Sequence, residues 1–185
     1  MIARKAAWTD AEAIAAIYNQ GIEDRVATFE TRPRGAADIE GWFDGVHPIV
    51  VIEEDGRVIA FAATSVYRPR ECYAGIAETS LYVARDCRRR GAGRLAMTAL
   101  IEAAESAGFW KLVSRVFPEN ETSLKLIESL GFRAVGTYEK HARLDGAWRD
   151  VVIVERLIPA NLEREAKPSP SISGANCHEF PRQTR

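Results

Sequence analysis

Between Ala77 and Leu100 the chain reads AETSLYVARDCRRRGAGRLAMTAL, and no other stretch constrains the fold as much. Ala77–Ala84 predicts a strand, Arg88-Arg89-Arg90-Gly91-Ala92-Gly93 a short basic turn, and Gly91–Ala107 a helix closed by Gly108. A strand that enters a helix through glycines leaves main-chain groups open, because no Cβ shields them. The helix start adds unpaired N–H groups and the positive end of its dipole, which together suit a phosphate. Arg88, Arg89, Arg90 and Arg94 place donors for charge-assisted hydrogen bonds around the same point. An arginine triplet alone is an ordinary solvated turn. The strand before it and the helix after it make Arg88–Arg94 a candidate pyrophosphate cradle. It is not a dinucleotide fingerprint, since it has no third spaced glycine, and it lacks the Lys-Ser/Thr of a P-loop.

The flanking sequence predicts a sheet with helices. Ile2–Ala7 reads as an edge strand, and Thr9 or Asp10 as the cap of a helix that buries Ile14, Ile17 and Tyr18 and ends near Gly21. Ile22–Pro33 has no clean period and reads as a loop or broken helix; Ala36–Phe43 follows as a second helix. Asp55-Gly56 and Asp145-Gly146 sit between β-rich runs and predict two hairpins. Trp110–Pro118 reads as a strand, and a helix from Asn120 stops at Gly131. The order β-α-α-β-β-β-α-β-α-β-β predicts a mixed sheet with helices on both faces, one domain over residues 1–159. Residues 160–185, rich in Ser, Pro and charge, read as a tail with too little apolar content to pack.

Bulk properties narrow the partners. A net charge of −1 gives no global attraction for nucleic acid or membranes, so neither is an expected partner. Cys72, Cys87 and Cys177 have no CxxC spacing, which fits a reducing compartment and no zinc site. His47, His141 and His178 show no metal-ligand spacing, so no metal is expected. No apolar leader or membrane-length run is present, and the expected location is the cytoplasm.

Arg88-x-x-Gly91-x-Gly93 after a strand resembles the acetyl-coenzyme A loop of the GCN5-related N-acetyltransferase (GNAT) superfamily. The resemblance spans Ile2–Pro159. It implies an α/β GNAT fold, a mixed sheet splayed between its fourth and fifth strands, with acetyl-CoA as co-substrate. Leu81, Tyr82 and Val83 would lie beside the pantetheine arm, one of their N–H groups serving as oxyanion donor. Asn120 and Ser123 match a second cofactor contact; spacing alone favours a helix cap, and the Arg88–Gly93 loop one strand earlier favours the cofactor.

A narrower resemblance, to phosphinothricin-type acetyltransferases, rests on Ala77-Glu78-Thr79, on Arg70 and Tyr73 before it, on Phe29, and on Gly146-x-Trp148-x-Asp150. It implies an acceptor of the phosphinothricin, arsinothricin or methionine sulfoximine kind and a role in detoxification or resistance. Glu78 would be the general base, and Phe29, Arg70 and Tyr73 would bind the acceptor. Each has an ordinary alternative: Glu78 as a strand carboxylate paired to an arginine, Arg70 as a solvated loop residue, the aromatics as loop packing. Ile127 stands where relatives carry a Tyr or His as proton donor, so the general acid is unassigned. A thiol pKa of about 8.5 makes the thiolate a tolerable leaving group without one. The resemblance also implies a homodimer. Two other functions remain open: acetylation of a protein N-terminus or lysine, and CoA binding without turnover in a regulatory module.

Overall fold

The computed structural model describes residues 1–162. Its strands are β1 (Ile2–Lys5), β2 (Ile49–Glu54), β3 (Arg57–Val66), β4 (Ile76–Val83), β5 (Lys111–Val116), β6 (Arg133–Leu144) and β7 (Ala147–Leu157). The helices are α1 (Ala11–Asp24), α2 (Ala36–Glu40), α3 (Ala92–Ser106), α4 (Glu121–Glu128) and α5 (Pro159–Leu162). The strands form one seven-stranded sheet in the order β1-β2-β3-β4-β5-β7-β6. All neighbours are antiparallel except β4 and β5. That parallel pair is short: it runs from Ile76↔Lys111 to Glu78↔Val113 and stops, although both strands continue. The sheet is therefore split from Thr79 onward, and the split positions the site.

Both hairpin turns follow their dipeptides. Asp55 and Gly56 have φ of 51° and 75°, Asp145 and Gly146 49° and 81°, the doubly positive turn that matches strand twist. The core lies between β2, β3 and β4 and the helices: Val51, Ile52, Phe61, Ile14, Leu100 and Leu112 are fully buried. α3 packs on one face of β4 and α1 on the other. The Cα of Gly93 sits so near the sheet that a Cβ there would lie 3.4 Å from Val83 and 3.6 Å from Leu81. On the opposite face a Cβ on Gly21 would lie 2.6 Å from the Tyr82 ring. Gly21 is thus not the end of the first helix. It is a contact point inside α1, which runs on to Asp24 and ends with Arg25 at φ 58°. α2 is shorter than its sequence suggested, stopping at Glu40.

Asp10 is not a side-chain cap for α1. Buried at 6% exposure, it accepts two hydrogen bonds from Arg4 at 2.7 and 2.8 Å and one from the Ala7 N–H. The Arg4 hydrogen bonds hold its carboxyl below the usual range against the opposing effect of burial. A carboxyl depressed in the folded state stabilises the fold above its unfolded pKa, near 3.9, and that contribution is lost as pH falls through the folded value. With Arg4 half exposed, Asp10→Asn is expected to lower stability by about 1–2 kcal/mol at neutral pH. Urea titrations of both proteins from pH 7 to pH 2 should show the gap closing below about pH 4. A gap that is constant with pH would show that the loss is packing.

Gly75, where β4 begins, accepts a hydrogen bond from Trp110 N at 2.8 Å and carries the Trp110 ring on its Cα. A Cβ would overlap that ring. Gly75→Ala is therefore expected to destabilise the fold by about 3 kcal/mol, the upper range for overpacking, measured as a lowered urea midpoint with unchanged slope. An unchanged midpoint would contradict the packing at β4–Trp110.

At the chain end, Asn161 is buried and donates to the carbonyls of Glu105 and Phe109. The packed body thus includes α5, and the rest of the expected tail, 163–185, lies outside the described residues. Among the described residues no helix is long and apolar enough to cross a membrane, and no cluster of metal-ligating side chains occurs.

Candidate active site

The split between β4 and β5 exposes one strand edge. Ala84 N donates to Ile59 O on β3, so even-numbered residues of β4 turn their main chain toward β3 and odd-numbered ones toward β5. At the apex of the split, Ser114 Oγ donates to Thr79 O at 2.9 Å and closes the ladder. At the far end Arg88 Nε donates to Val83 O at 3.2 Å. Leu81 lies between them, with its N–H and C=O pointing into the gap. Of the three residues expected beside a pantetheine arm, Leu81 presents the open edge. Val83 is half engaged, and Tyr82 turns its main chain to β3.

The gap continues through the sheet as a cleft. Side chains alternate, so Leu81 and Val116 line it on the α3–α4 face together with Met97, Ser123 and Ile127. Ser80, Arg115 and Phe117 line it on the α1 face, beneath Val26 and Ala27. Side chains from both faces of the sheet thus line one cleft.

The turn before α3 lies on the α3–α4 side, where a Cβ on Gly93 would stand 3.6 Å from Leu81. Arg89 and Gly91 both have positive φ, 61° and 89°, and the curl of the chain gathers successive N–H groups into a concavity of the kind that holds anions. Leu95 N is the first in α3 to find an intrahelical acceptor, Gly91 O at 3.1 Å. The N–H groups of Ala92, Gly93 and Arg94 precede it and belong to the unpaired first turn. Gly91 has open space where a Cβ would stand. These features fit the phosphates of a nucleotide cofactor.

The guanidinium groups are committed differently from expectation. Arg88 pairs with Asp24 at 2.6 Å, and Arg90 with Glu54 at 2.8 Å. Arg94 donates to Ser129 Oγ at 2.8 Å. Arg85, beside them, pairs with Glu23 and Asp24 and clamps the end of α1. Burial pushes the Asp24 carboxyl up, yet Arg85 and Arg88 together hold it below the usual range. The acids of α1 and β2 claim Arg85, Arg88 and Arg90, and Ser129 engages Arg94, so the cradle's donors are first of all backbone N–H groups. Arg89 alone of the triplet has no recorded partner among the described residues.

Asn120 caps α4. Its Oδ1 accepts from Ser123 N at 3.2 Å, while Nδ2 donates to Val26 O at 3.2 Å and ties the loop after α1 to the cleft. The cap reading therefore holds, and Asn120 and Ser123 line the cleft as well. Ile127 is buried at its wall and has no proton to give. Tyr82 also reaches the cleft, but burial drives its phenol far up, and it stays protonated.

Glu78 is the last residue of β4 paired to β5. Its carboxylate accepts a hydrogen bond from Arg115 Nη1 on the same face as Ser80 and α1; Glu78 does not itself line the cleft, which it adjoins through Arg115. Phe29 packs edge-on against Phe117, ring centroids 4.8 Å apart, and so backs the cleft wall on that face rather than lining it. Arg70 and Tyr73 lie on the loop between β3 and β4; Tyr73 packs edge-on against Tyr67 at 5.8 Å. Neither lines the cleft. Arg115 and Ser114, which do, were not singled out from the sequence. The available signal was strand parity, since Val113, Arg115 and Phe117 share a face and one of them is charged.

A GNAT-type acetyltransferase family model, described as Acetyltransferase (GNAT) family, matches residues 14–132, which include the split strands, the cradle and α4. The chain belongs to this family. It is an N-acetyltransferase with the GNAT fold. An L-methionine sulfoximine/L-methionine sulfone acetyltransferase of Pseudomonas aeruginosa is 31% identical over 157 residues, 82% of this chain and 91% of the relative. A phosphinothricin acetyltransferase from Sinorhizobium meliloti, solved in complex with acetyl-CoA, superposes with a TM-score of 0.83 at 25% identity, covering 91% of this chain and 94% of that one. A ribosomal-protein-alanine N-acetyltransferase from Brucella melitensis superposes at 0.82 with 28% identity, over 85% and 100% of the two chains.

Proposed function

We propose that this GNAT enzyme moves the acetyl group of acetyl-CoA directly to the α-amino group of a small, glutamate-like amino acid of the phosphinothricin, arsinothricin or methionine sulfoximine type, a detoxification or resistance activity. The observation that supports the reading is a cleft lined from both faces of the sheet, with an anion cradle near Leu81 on one face and Glu78, paired to the cleft residue Arg115, on the other. Acetyl-CoA supplies an activated acyl group as a thioester. Its phosphates rest on the N–H groups of Gly91–Arg94, and its pantetheine arm pairs with the open edge at Leu81. The Leu81 N–H then points at the position where oxyanion charge develops.

The acceptor enters from the α1 face. Glu78 takes a proton from its ammonium group, directly or through water. The freed nitrogen forms a bond to the acetyl carbon, the C–S bond breaks, and the thiolate leaves with solvent supplying its proton. Ile127 is consistent with this, because a thiolate needs no acid to depart near neutral pH. Phe29 shapes the acceptor side of the cleft through Phe117, and Arg70 and Tyr73 act on the acceptor from their loop. The exposed apolar side chains Val135 and Tyr138 on edge strand β6, with Trp148 on β7, support a homodimer formed by this hairpin. Action in the cytoplasm belongs to the same proposal.

The Brucella neighbour gives one reason to consider a protein N-terminus as the acceptor. CoA-thiol release with acetyl-CoA and a panel of phosphinothricin, arsinothricin, methionine sulfoximine, methionine sulfone, glutamate and an alanine-ended basic peptide separates the two. The proposal expects turnover on the tetrahedral glutamate analogues. Turnover on the peptide alone would replace it with protein acetylation, and tight CoA binding without release on any acceptor would favour a regulatory module.

A further inference from the structure

Arg115 is the one charged side chain among the residues that line the cleft. It stands on β5 just past Val113, where pairing with β4 ends, and shares a face with Glu78 and Phe117. One of its nitrogens donates to Glu78, its one carboxylate partner among the described residues. Their side chains keep 34% and 28% of their surface in solvent, so the pair is reachable. A guanidinium carries several N–H donors in a rigid fork, and donation to Glu78 leaves others for a second oxyanion.

A carboxylate and a guanidinium side by side form the complement of an α-amino acid, whose ammonium and carboxylate share one carbon atom. Resting on the acetyl-transfer reading above, we propose that Arg115 is the receptor for the α-carboxylate of the acceptor. It holds that group next to Glu78, which thereby faces the α-amine. Arg115 thus sets the requirement for a free α-amino acid, and a peptide, which has no carboxylate there, is discriminated against. Arg70, which lies on the β3–β4 loop away from the cleft lining, is left for the distal anionic group.

The test compares L-methionine sulfone with its α-carboxamide as acceptors for wild type, Arg115→Gln and Arg115→Lys. Wild type should prefer the free acid. Arg115→Gln should lose at least about ten-fold of that preference through KM, and Arg115→Lys should retain part of it, keeping charge without the fork. CoA affinity serves as the check on folding, and if the Gln variant fails it, the Lys variant carries the comparison. An undiminished wild-type preference in either folded variant overturns the role of Arg115. Calorimetric binding of methionine sulfone separates this from the parent reading. Wild type that binds CoA but acetylates neither acceptor overturns the proposed function. Equal methionine sulfone affinity in wild type and variant overturns the Arg115 assignment alone.

Discussion

Glu78→Gln should lower kcat/KM for the amino-acid acceptor by about 10²–10⁴-fold, the usual worth of a positioned general base. The substitution removes proton affinity and little else. A glutamine Oε1 still accepts from Arg115, so the ion pair becomes a hydrogen bond and the apex of the split keeps its shape. CoA binding, governed on the other face by Leu81 and the cradle, should stay within about two-fold of wild type. Stopped-flow thiol release and CoA calorimetry on the same preparation would measure both. Wild-type kcat/KM in Glu78→Gln would mean that Glu78 is only the strand partner of Arg115, the ordinary alternative its sequence context allowed.

Gly91→Val should act on the other substrate. Gly91 has φ +89°, where a side chain is strained and a β-branched one most of all, at roughly 1–2 kcal/mol or more. Space is not the obstacle, since a Cβ there meets nothing within 4 Å. The strain is relieved by turning Gly91 out of the left-handed region, which dismantles the curl that gathers the N–H groups of Ala92, Gly93 and Arg94. KM for acetyl-CoA should rise at least about ten-fold, while kcat at saturation and the KM of the amino acid change little. Gly91→Ala should fall between. A Gly91→Val enzyme with an unchanged acetyl-CoA KM would show that the phosphates are held elsewhere, with Arg89 the first residue to examine.

The elements legible in the sequence are those that a local rule decides. Asp55-Gly56 and Asp145-Gly146 fixed two hairpins because both residues of such turns need positive φ, which few side chains tolerate. The strand–turn–helix at Ala77–Ala107 was legible for the same reason, with Gly91 in the left-handed region where the helix begins. What was not legible depends on partners distant in sequence. Gly21 looks like a helix stop until Tyr82 is seen against it. Asp10 looks like a cap until Arg4 claims it. Arg88 and Arg90 look like phosphate ligands, but Asp24 and Glu54 reach them first, from segments 64 and 36 residues away. Arg115 could be weighed only once the register with β4 placed it beside Glu78. Arg70 and Tyr73 carry the family resemblance in their spacing, yet spacing does not say how far a loop sits from a cleft.

Donor and acceptor sites proposed on opposite faces of the sheet make one demand on kinetics: both substrates occupy the enzyme together. Initial rates of thiol release, with acetyl-CoA and methionine sulfone varied against each other, test this most directly. Lines that intersect in double-reciprocal plots are the expected result, with no acetyl group retained on the protein when acceptor is omitted. Parallel lines, with an acetyl-enzyme isolable before acceptor is added, would contradict direct transfer across the sheet.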